Sequence, residues 1–438
     1  MPSAVTLSLV LFTRLPKPGR AKTRLIPALG AEGAADFQRQ MTRLAVARAW
    51  AFCAAAPGRR LVIAYDGGSE RELRAWLGGL NYMPQGEGDL GRRMQRAVTA
   101  ELQSGARSVL VIGADCPRLQ GSVLESAARA LATSDLTFGP ASDGGYYLVG
   151  LLRPVAEIFA NIPWGTGEVL TSSIGRARQV GLEPALLEPL PDVDEPCDLP
   201  DAQAALDASR TVSVIIPALN ESANLTRLLP RITAAQPHEI LVADGGSTDD
   251  TVAVAQSLGA TVVRANRGRG QQMNAAANVA TGEFLLFLHA DTDPPERFPA
   301  LVCATLERPA VAAGAFRFAL REPVAGGVLI EKGVALRCAL RQLPYGDQGL
   351  FVRRALFLSL GGFRDWPILE DLEMVRRLRG LGRIVITREA APTSSRRWRE
   401  RGVIRTFLRH QFILMAHFLG AKPESLGAAR TGATIHES

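Results

Sequence analysis

The chain has 438 residues, 47% of them hydrophobic and 21% charged, which is the composition of a soluble globular protein with more than one domain. Its five cysteines are scattered and none stands in CxxC spacing, which argues against both a disulfide framework and a zinc site. The net charge of +7 comes entirely from residues 211–438, where 28 basic residues face 21 acidic ones, and residues 376–409 alone hold eleven arginines.

Strand-like and helix-like segments alternate over the first half of the chain. Apolar runs typical of strands occur at residues 7–13, 61–65, 107–112 and 135–139, and helix-period patterns at about 31–54, 69–78, 90–103 and 120–132. Strands that alternate with helices predict a parallel sheet covered by helices on both faces. We therefore expect an α/β domain over residues 1–208.

The same alternation restarts near residue 211, which predicts a second α/β domain over residues 211–438. Its predicted strands are 212–216, 239–243, 260–264 and 283–288, and its predicted helices are 221–235, 249–257 and 270–281. Beyond residue 320 the pattern weakens. There we expect a helix over about 324–342, a strand near 348–353, a helix from Glu370 and a basic amphipathic helix over about 403–419.

No apolar stretch reaches the roughly 18 uncharged residues of a membrane-spanning helix. We expect a cytoplasmic protein. The tail helix leaves peripheral membrane contact open through one apolar stripe, although such a stripe is also typical of a core or a dimer contact. The stripe consists of Phe407, Phe412, Ile413, Leu414, Phe418 and Leu419.

Residues 284–293 form an apolar run that ends in two carboxylates, Asp291 and Asp293. Side chains alternate along an extended chain, so both carboxylates would point the same way and could hold one divalent cation. Carboxylate oxygens suit Mg²⁺ or Mn²⁺, which commonly bridge a protein to a substrate diphosphate. A simple turn at the end of a strand, before Pro294 and Pro295, is the alternative.

Polar side chains also follow the two preceding strands of the second half. Asn220 and Glu221 follow the first strand, and Asp244, Gly245 and Ser247 follow the second. Ligands of an open parallel sheet bind beyond the carboxyl ends of its strands, so these residues could line a nucleotide pocket. A turn followed by a helix N-cap would use the same residue types.

Taken in order, four motifs resemble glycosyltransferase family 2, the inverting GT-A enzymes, over about residues 211–390. They span residues 216–221, 244–249, 291–293 and 368–371. The resemblance implies a Rossmann-like, GT-A-type nucleotide-diphospho-sugar transferase fold, and a set of site residues follows from it. Asp244 would bind the base, Asp291 and Asp293 the metal, and Asp371, beside Glu370, would be the general base; Pro217, Asn220, Glu221, Gly245, Ser247 and Arg269 would contact the donor.

Asp371 has a structural alternative, because an acidic residue at the start of a helix is favoured by the helix dipole. Residues 346–349 and 393–398 further resemble the glycosyltransferase group named for arsenosugar biosynthesis. That likeness implies that Asp347 and Gln348 face the donor sugar or the acceptor. It also implies that three residues near the end of the domain bind diphosphate or stack on a sugar: Arg396, Arg397 and Trp398. For Trp398, packing of the tail onto the domain is the alternative.

A basic loop follows the first strand of the chain. Residues 13–25 hold five cations, including two of the four lysines in the whole sequence: Arg14, Lys17, Arg20, Lys22 and Arg24. Such a loop suits phosphate, although the spacing of a P-loop is missing. A solvated basic turn is the alternative.

Together with residues 113–117, 142–148 and 191–199, this loop resembles the nucleotidyltransferase-like family allied to 2-phospholactate guanylyltransferase, over about residues 5–208. The resemblance implies that the loop holds a triphosphate and that Asp115 and Asp194 carry Mg²⁺. Where the second half has two aspartates, the first has Asp115, Cys116 and Pro117, so Asp143, Asp192 or Asp194 would have to be brought close by the fold.

These features predict a metal-dependent inverting glycosyltransferase in the second half. It would use a nucleotide-diphospho-sugar and a small-molecule or lipid acceptor, and the first half would bind nucleotide or make the activated sugar. One alternative makes both halves nucleotidyltransferases. Another makes the chain a membrane-peripheral scaffold driven by the arginines of residues 376–409. No nucleic-acid partner is expected, since no DNA- or RNA-binding motif is apparent.

Overall fold

A computed structural model describes residues 5–396 together with residues 399 and 416. The predicted tail helix, with its apolar stripe, lies outside the described residues, as do Arg397 and Trp398. The chain divides into two compact units. One comprises Met1–Ser209 with Glu307–Ala310, and the other comprises Arg210–Leu306 with Val311–Ser438.

The first unit is an α/β fold whose elements follow the predicted alternation. Its strands are β1 (Leu7–Arg14), β2 (Arg59–Asp66), β3 (Asn81–Pro84), β4 (Ser108–Gly113), β5 (Leu136–Pro140), β6 (Tyr146–Leu151) and β7 (Ala185–Leu186). Its helices are α1 (Ile26–Ala54), α2 (Glu70–Leu77), α3 (Leu90–Gln103), α4 (Gly121–Ala130), α5 (Val169–Gln179) and α6 (Leu199–Ala208).

The seven strands of this unit form one sheet in the order β3-β2-β1-β4-β6-β5-β7. Strand β1 pairs in parallel with β2 and β4, whereas β6 is antiparallel to both β4 and β5. In the centre of the sheet, Leu9 lies beside Leu61 and Leu110, all buried. The carboxyl ends of β1, β2 and β4 therefore meet at one edge, where the basic loop and Asp115 emerge.

The second unit is built in the same way. Its strands are β8 (Val212–Ala218), β9 (Glu239–Asp244), β10 (Thr261–Arg264), β11 (Phe284–Phe287), β12 (Val311–Leu320), β13 (Leu350–Arg353) and β14 (Arg383–Thr393). Its helices in the described residues include α7 (Ser222–Ala234), α8 (Thr251–Ser257), α9 (Arg269–Val279), α10 (Phe298–Leu306), α11 (Gly327–Arg341), α12 (Arg354–Ser359) and α13 (Glu370–Leu381).

The strand order of this second sheet is β10-β9-β8-β11-β13-β12-β14, the same arrangement as in the first unit. Again β8 is parallel to its neighbours β9 and β11, and β13 is antiparallel to β11 and β12. Val214 lies beside Ile240 and Leu286 in the buried centre. The predicted α/β class with mostly parallel sheets is confirmed, and the two halves share one topology.

Two differences from the sequence analysis affect the site. Strand β11 ends at Phe287 rather than at residue 288, so Asp291 and Asp293 lie in the loop beyond the strand. Strands β12 and β14, which were not predicted, flank that loop, and Thr292 forms an isolated bridge with Thr393 at the end of β14. Among the described residues, none of the helices combines the length and apolar character needed to cross a lipid bilayer.

Candidate functional site

In the second unit, the loops that follow β8 and β9 are joined by hydrogen bonds. The backbone N–H of Asn220 donates to Ser247 Oγ (2.9 Å), and Asn220 Oδ1 accepts from the backbone N–H of Thr248 (2.8 Å). The buried Asp244 carboxylate accepts from the backbone N–H groups of Gly246 and Ser247, both at 3.1 Å. The predicted residues Asn220, Asp244 and Ser247 therefore form one rigid edge beyond the sheet.

A buried glutamine fixes this edge from below. Gln272 Nε2 on α9 donates to the carbonyl oxygens of Ala218 (2.7 Å), the last residue of β8, and Ala243 (2.8 Å), the last but one of β9. A Cβ added at Gly245 would lie 3.0 Å from this amide, so glycine allows the close approach there. Pro217 is a buried residue within β8 and contributes no donor to this edge.

Asp371 lies at the start of α13, held by backbone donors. Its carboxylate accepts from the N–H of Gly346 (2.6 Å) and from its own neighbour Leu372 (2.7 Å). A Cβ added at Gly346 would lie 3.1 Å from Asp371 Oδ2 and 2.9 Å from His289 Nε2. Three separate motifs, around His289, Gly346 and Asp371, thus meet at one point. Leu369, just before the helix, has φ 64°, a left-handed conformation that is strained for leucine.

The two other predicted residues near Asp371 are paired with each other. Glu370 is buried, and its Oε1 lies 3.2 Å from Nε of Arg269, the first residue of α9. A buried carboxylate is stable only when it is paired or neutralised, so this ion pair ties the start of α13 to the start of α9. Arg269, predicted to contact the donor, therefore also has a structural role.

Both carboxylate oxygens of Asp293 are paired with arginine side chains. Its buried carboxylate pairs through Oδ1 with Arg227 of α7 and through Oδ2 with Arg321, whose Nε lies 2.9 Å away. Arg321 also donates to the backbone carbonyl of Asp291. The sequence analysis expected strand alternation to point Asp291 and Asp293 the same way as metal ligands. Both residues lie in the loop beyond β11, so strand alternation does not set their directions. Asp291 is half-buried.

The remaining predicted residues of this unit are placed as follows. Gln348 is buried; its Nε2 donates to the carbonyl of Phe316 (3.0 Å) and its Oε1 accepts from the N–H of Tyr345 (3.2 Å). Asp347 is half-buried in the same short helical turn. Glu221 Oε2 accepts from Asn224 Nδ2 (2.5 Å), and Arg396 is exposed.

In the first unit, a cavity of about 580 Å³ opens at the carboxyl ends of the central strands. Four of the five predicted cations line it, and so do the four aspartates named in the sequence analysis: Arg14, Arg20, Lys22, Arg24, Asp115, Asp143, Asp192 and Asp194. The cavity thus holds positive charge on the β1 side and negative charge on the other.

Three of the carboxylates form a compact cluster. Oxygen atoms of Asp143, Asp192 and Asp194 all lie within 4.8 Å of one another. Burial, together with the Asp143 carboxylate, raises the pKa of Asp192 to about 6. Three carboxylate oxygens at this spacing are the donor set that a hard divalent cation takes, so the residues fit Mg²⁺ or Mn²⁺.

Lys22 crosses from the basic loop to these carboxylates. Its buried ammonium lies 3.0 Å from Asp194 Oδ1 and 3.2 Å from Asp115 Oδ1, and it donates to the carbonyl of Val193. Burial lowers the pKa of Lys22, but the Asp115 and Asp194 charges outweigh burial and raise it. Lys22 is therefore held as a cation against the cluster rather than displayed to solvent.

Three of the other four cations of the loop are also paired with carboxylates. Arg24 lies 3.4 Å from Asp194, Arg14 pairs with Asp66 (2.7 Å) and Lys17 pairs with Glu72 (3.2 Å). Lys17 is not among the residues that line the cavity. Of the five predicted phosphate ligands, Lys17 is thus the one that lies outside the cavity.

Some residues around these sites were not predicted. In the second unit these are Arg227 and Arg321, and in the first they are Asp66 and Trp164. Trp164 lines the cavity, and its buried indole N–H has no hydrogen-bond partner. One signal was available, because the sequence Asp-Gly-Gly-Ser occurs both at residues 66–69 and at residues 244–247. The arginines gave none, since they are distant in sequence from Asp293.

Two family models match the chain. The model described as "Glycosyl transferase family 2" matches residues 213–330. This match lies within the second domain predicted over residues 211–438. A second model, described as "Uncharacterized protein conserved in bacteria (DUF2064)", matches residues 50–166, within the first half. The nucleotidyltransferase-like character of the first half and the arsenosugar-type subgroup are not part of these matches.

Curated relatives match over a short stretch. An undecaprenyl-phosphate 4-deoxy-4-formamido-L-arabinose transferase of Serratia proteamaculans (strain 568) is 39% identical over 107 residues, which are 21% of this chain and 33% of that protein. The enzyme of that name from Aeromonas hydrophila is 37% identical over 112 residues, 22% of this chain and 34% of that protein. The chain therefore spans about a third of the length of these relatives.

Two nucleotide-sugar proteins are among the solved structures to which the chain is similar. A candidate nucleotide-diphospho-sugar transferase from Desulfovibrio desulfuricans G20 is 26% identical, with a TM-score of 0.41, over 46% of this chain and 96% of that one. Glucosyl-3-phosphoglycerate synthase from Mycobacterium tuberculosis, solved with Mn²⁺ and uridine-diphosphate-glucose, is 23% identical, with a TM-score of 0.34, over 43% of this chain and 72% of that one.

Proposed function

We propose that the second unit transfers a glycosyl group, with inversion, from a nucleotide-diphospho-sugar to an acceptor hydroxyl. The observation that carries this proposal is the meeting of His289, the backbone N–H of Gly346 and the Asp371 carboxylate at one point. The family 2 match over residues 213–330 supports the reaction class.

Asp371 is the proposed general base. Its carboxylate takes the proton of the acceptor hydroxyl while the acceptor oxygen attacks the anomeric carbon, and the bond from that carbon to the diphosphate oxygen breaks on the opposite face. The two backbone N–H donors at 2.6 and 2.7 Å fix the direction of the carboxylate. Attack opposite the leaving group inverts the anomeric centre.

The donor nucleotide is proposed to bind at the edge formed by Asn220, Asp244 and Ser247. This edge is already ordered by its own hydrogen bonds, so little conformational entropy would be lost on binding. Gly245 and Gly246 let a ligand approach the backbone closely. Arg269 brings a guanidinium to the neighbouring start of α9.

We further propose Mg²⁺ or Mn²⁺ at Asp291 and Asp293, where it would neutralise charge on the leaving diphosphate. The donor atoms are of the right type, but Asp293 is engaged by Arg227 and Arg321. Asp291 is therefore the primary ligand of this proposal. Asp293 could take part only if one guanidinium moved to another anion, and a diphosphate is such an anion.

The acceptor is proposed to be a small molecule or lipid with a free hydroxyl. The curated relatives are named for undecaprenyl phosphate, a lipid phosphate. An ionised phosphate oxygen needs no general base, whereas a hydroxyl does. The role given to Asp371 therefore favours a hydroxyl. Likeness to the group named for arsenosugar biosynthesis adds a candidate acceptor class without deciding it.

The first unit is proposed to bind a nucleotide with Mg²⁺ or Mn²⁺, and to supply the activated sugar to the second. Its support is the cavity in which the cations of the β1 loop face the cluster of Asp143, Asp192 and Asp194. The cluster would hold the cation, which would bridge to the phosphates, while Arg14, Arg20 and Arg24 would neutralise the remaining charge.

The test of the main proposal uses the full-length chain with UDP-, GDP-, CDP- and dTDP-sugars and Mn²⁺. We expect at least one donor to raise the thermal midpoint and, with water or an added alcohol in place of the acceptor hydroxyl, to release nucleoside diphosphate. Asp371→Asn should lower turnover about 10²- to 10⁴-fold while the donor-induced midpoint shift persists. The exposed Glu389→Gln is the matched control and should leave both unchanged.

Two results would contradict the proposal in different ways. Turnover by Asp371→Asn within a few-fold of wild type would exclude Asp371 as the general base, and with it the argument for a hydroxyl acceptor. Absence of any donor-induced shift in the wild-type chain would remove the glycosyltransferase itself. For the first unit, Asp194→Asn should abolish the Mn²⁺-dependent shift caused by nucleoside triphosphates, and an unchanged shift would exclude the proposed metal site.

A further inference from the structure

Helix α11 presents an apolar face to solvent. Four of its large apolar side chains are strongly exposed: Val328 (68%), Leu329 (76%), Leu336 (60%) and Leu340 (75%). They are half of the eight strongly exposed large apolar side chains in the described residues, although the helix has only 15 residues. An apolar surface concentrated in this way normally marks a binding surface.

The pattern along the helix is regular. Leu329, Leu336 and Leu340 stand at i, i+7 and i+11, which places them within one narrow stripe of an α-helix. The exposed Lys332 lies beside the stripe, and the exposed Arg341 ends the helix on a different face. The only acidic residue of the helix, Glu331, is turned inward, where its Oε1 accepts from the backbone N–H of Leu320 (2.8 Å).

The opposite face of α11 is built into the unit. Ile330 and Cys338 are buried there. Arg337 donates to the carbonyl of Leu343 (3.0 Å), and its guanidinium lies 3.5 Å from the centre of the Tyr345 ring. The helix is therefore anchored on one side and apolar on the other, so the exposed leucines cannot turn inward without breaking these contacts.

We propose that α11 is an interfacial helix that docks the protein on an anionic lipid surface, with Leu329, Leu336 and Leu340 among the acyl chains. The charge pattern indicates this occupant. The helix has three basic residues and one carboxylate, that carboxylate accepts a backbone hydrogen bond within the unit, and the unit carries the whole positive excess of the chain. An apolar stripe on a basic helix matches the boundary between anionic lipid headgroups and acyl chains. Docking does not depend on the sugar transfer proposed above.

The test is vesicle flotation of the full-length protein. We expect it to float with vesicles of phosphatidylcholine containing roughly one-third phosphatidylglycerol, and far less with phosphatidylcholine alone. A Leu329→Gln/Leu336→Gln/Leu340→Gln variant should lower the floating fraction by about tenfold, because Gln keeps helix propensity but removes the apolar stripe. The matched control replaces three exposed apolar residues elsewhere, Val180→Gln/Leu186→Gln/Val279→Gln, and should float like wild type.

Three results would overturn the proposal. Wild-type protein that stays out of the anionic vesicle layer would exclude docking. A triple α11 variant that floats like wild type, with its circular dichroism unchanged, would assign docking to another segment such as residues 400–438. A wild-type dimer that the α11 variant converts to monomer, without flotation of either, would identify a second copy of the chain as the occupant.

Discussion

Gly346 is the residue at which the candidate active site can be perturbed most selectively. It is absent from the positive-φ positions, so alanine introduces no backbone strain there. The added methyl group would lie 2.9 Å from His289 Nε2 and 3.1 Å from Asp371 Oδ2, whereas ordinary contacts of a Cβ are 3.4–4 Å. Gly346→Ala therefore forces about half an ångström of displacement on these side chains and little else.

A misplacement of about 1 Å in an active site can cost about 100-fold in rate, so half of that should lower turnover by roughly 10- to 100-fold. The free energy of unfolding should change by less than about 1 kcal/mol, because the crowding is offset by the lower entropy of an unfolded chain that has alanine in place of glycine. A large loss of rate with little loss of stability is the expected signature.

The assay measures nucleoside diphosphate released from the donor that wild type turns over, with the thermal midpoint as the stability readout. Gly380→Ala in α13 is the matched control, because its Cβ would meet nothing within 4 Å. That variant should keep full turnover and gain about 0.5–1 kcal/mol in stability. Turnover by Gly346→Ala within twofold of wild type would refute the assignment of the reaction to the space between His289 and Asp371.

Two further predictions concern buried charge in each unit. Arg353→Met should lower the free energy of unfolding of the second unit by about 3–5 kcal/mol in urea, because the buried Arg353 pairs with Glu283 (3.0 Å). Glu283→Gln should cause an equal loss, and a much smaller loss would show that the pair is not the cause. Asp192→Asn should raise the thermal midpoint without metal, because it relieves repulsion from Asp143 and Asp194, and should reduce the shift that Mn²⁺ causes. A lower midpoint without metal would contradict the repulsion.

The sequence predicted the parts of the fold that depend on local pattern. Buried parallel strands such as β8 are continuous apolar runs, and their ends carry the polar residues, so Asn220 and Asp244 were found at the sheet edge. Strand β12 was missed because its run is rich in alanine and glycine, and β14 because its central residues are polar. Both lie far along the chain from the strands that they join.

The two ion pairs of Asp293 could not be predicted from the sequence. Its partners Arg227 and Arg321 lie 66 and 28 residues away, and neither belongs to a motif. Carboxylates that follow a strand are common in metal sites and in ion pairs alike, so only the fold distinguishes the two environments. Likewise, the burial of Gln348 depends on β12, which the sequence did not reveal.

The repeated sequence Asp-Gly-Gly-Ser indicates where the two units diverge. Asp66 and Asp244 end equivalent strands, β2 and β9, in sheets of the same order. In the first unit Arg14 and Arg93 lie 2.7 and 3.3 Å from Asp66, and the Arg14 hydrogen bond lowers the pKa of that carboxyl. In the second unit Asp244 accepts backbone N–H groups instead.

The difference follows from the loop after the first strand of each unit. Arg14 at the end of β1 and four further cations up to Arg24 belong to that loop, whereas residues 218–221 at the end of β8 carry no cation. A cationic loop beside a carboxylate cluster suits a triphosphate with its cation, whereas an edge ordered by neutral hydrogen bonds suits a nucleoside. Arg14→Gln should therefore weaken triphosphate binding by the first unit while leaving sugar-nucleotide binding by the second unchanged, and isothermal titration of both ligands against the full-length variant measures this. Equal weakening of both would show that the loop acts on stability rather than on a ligand.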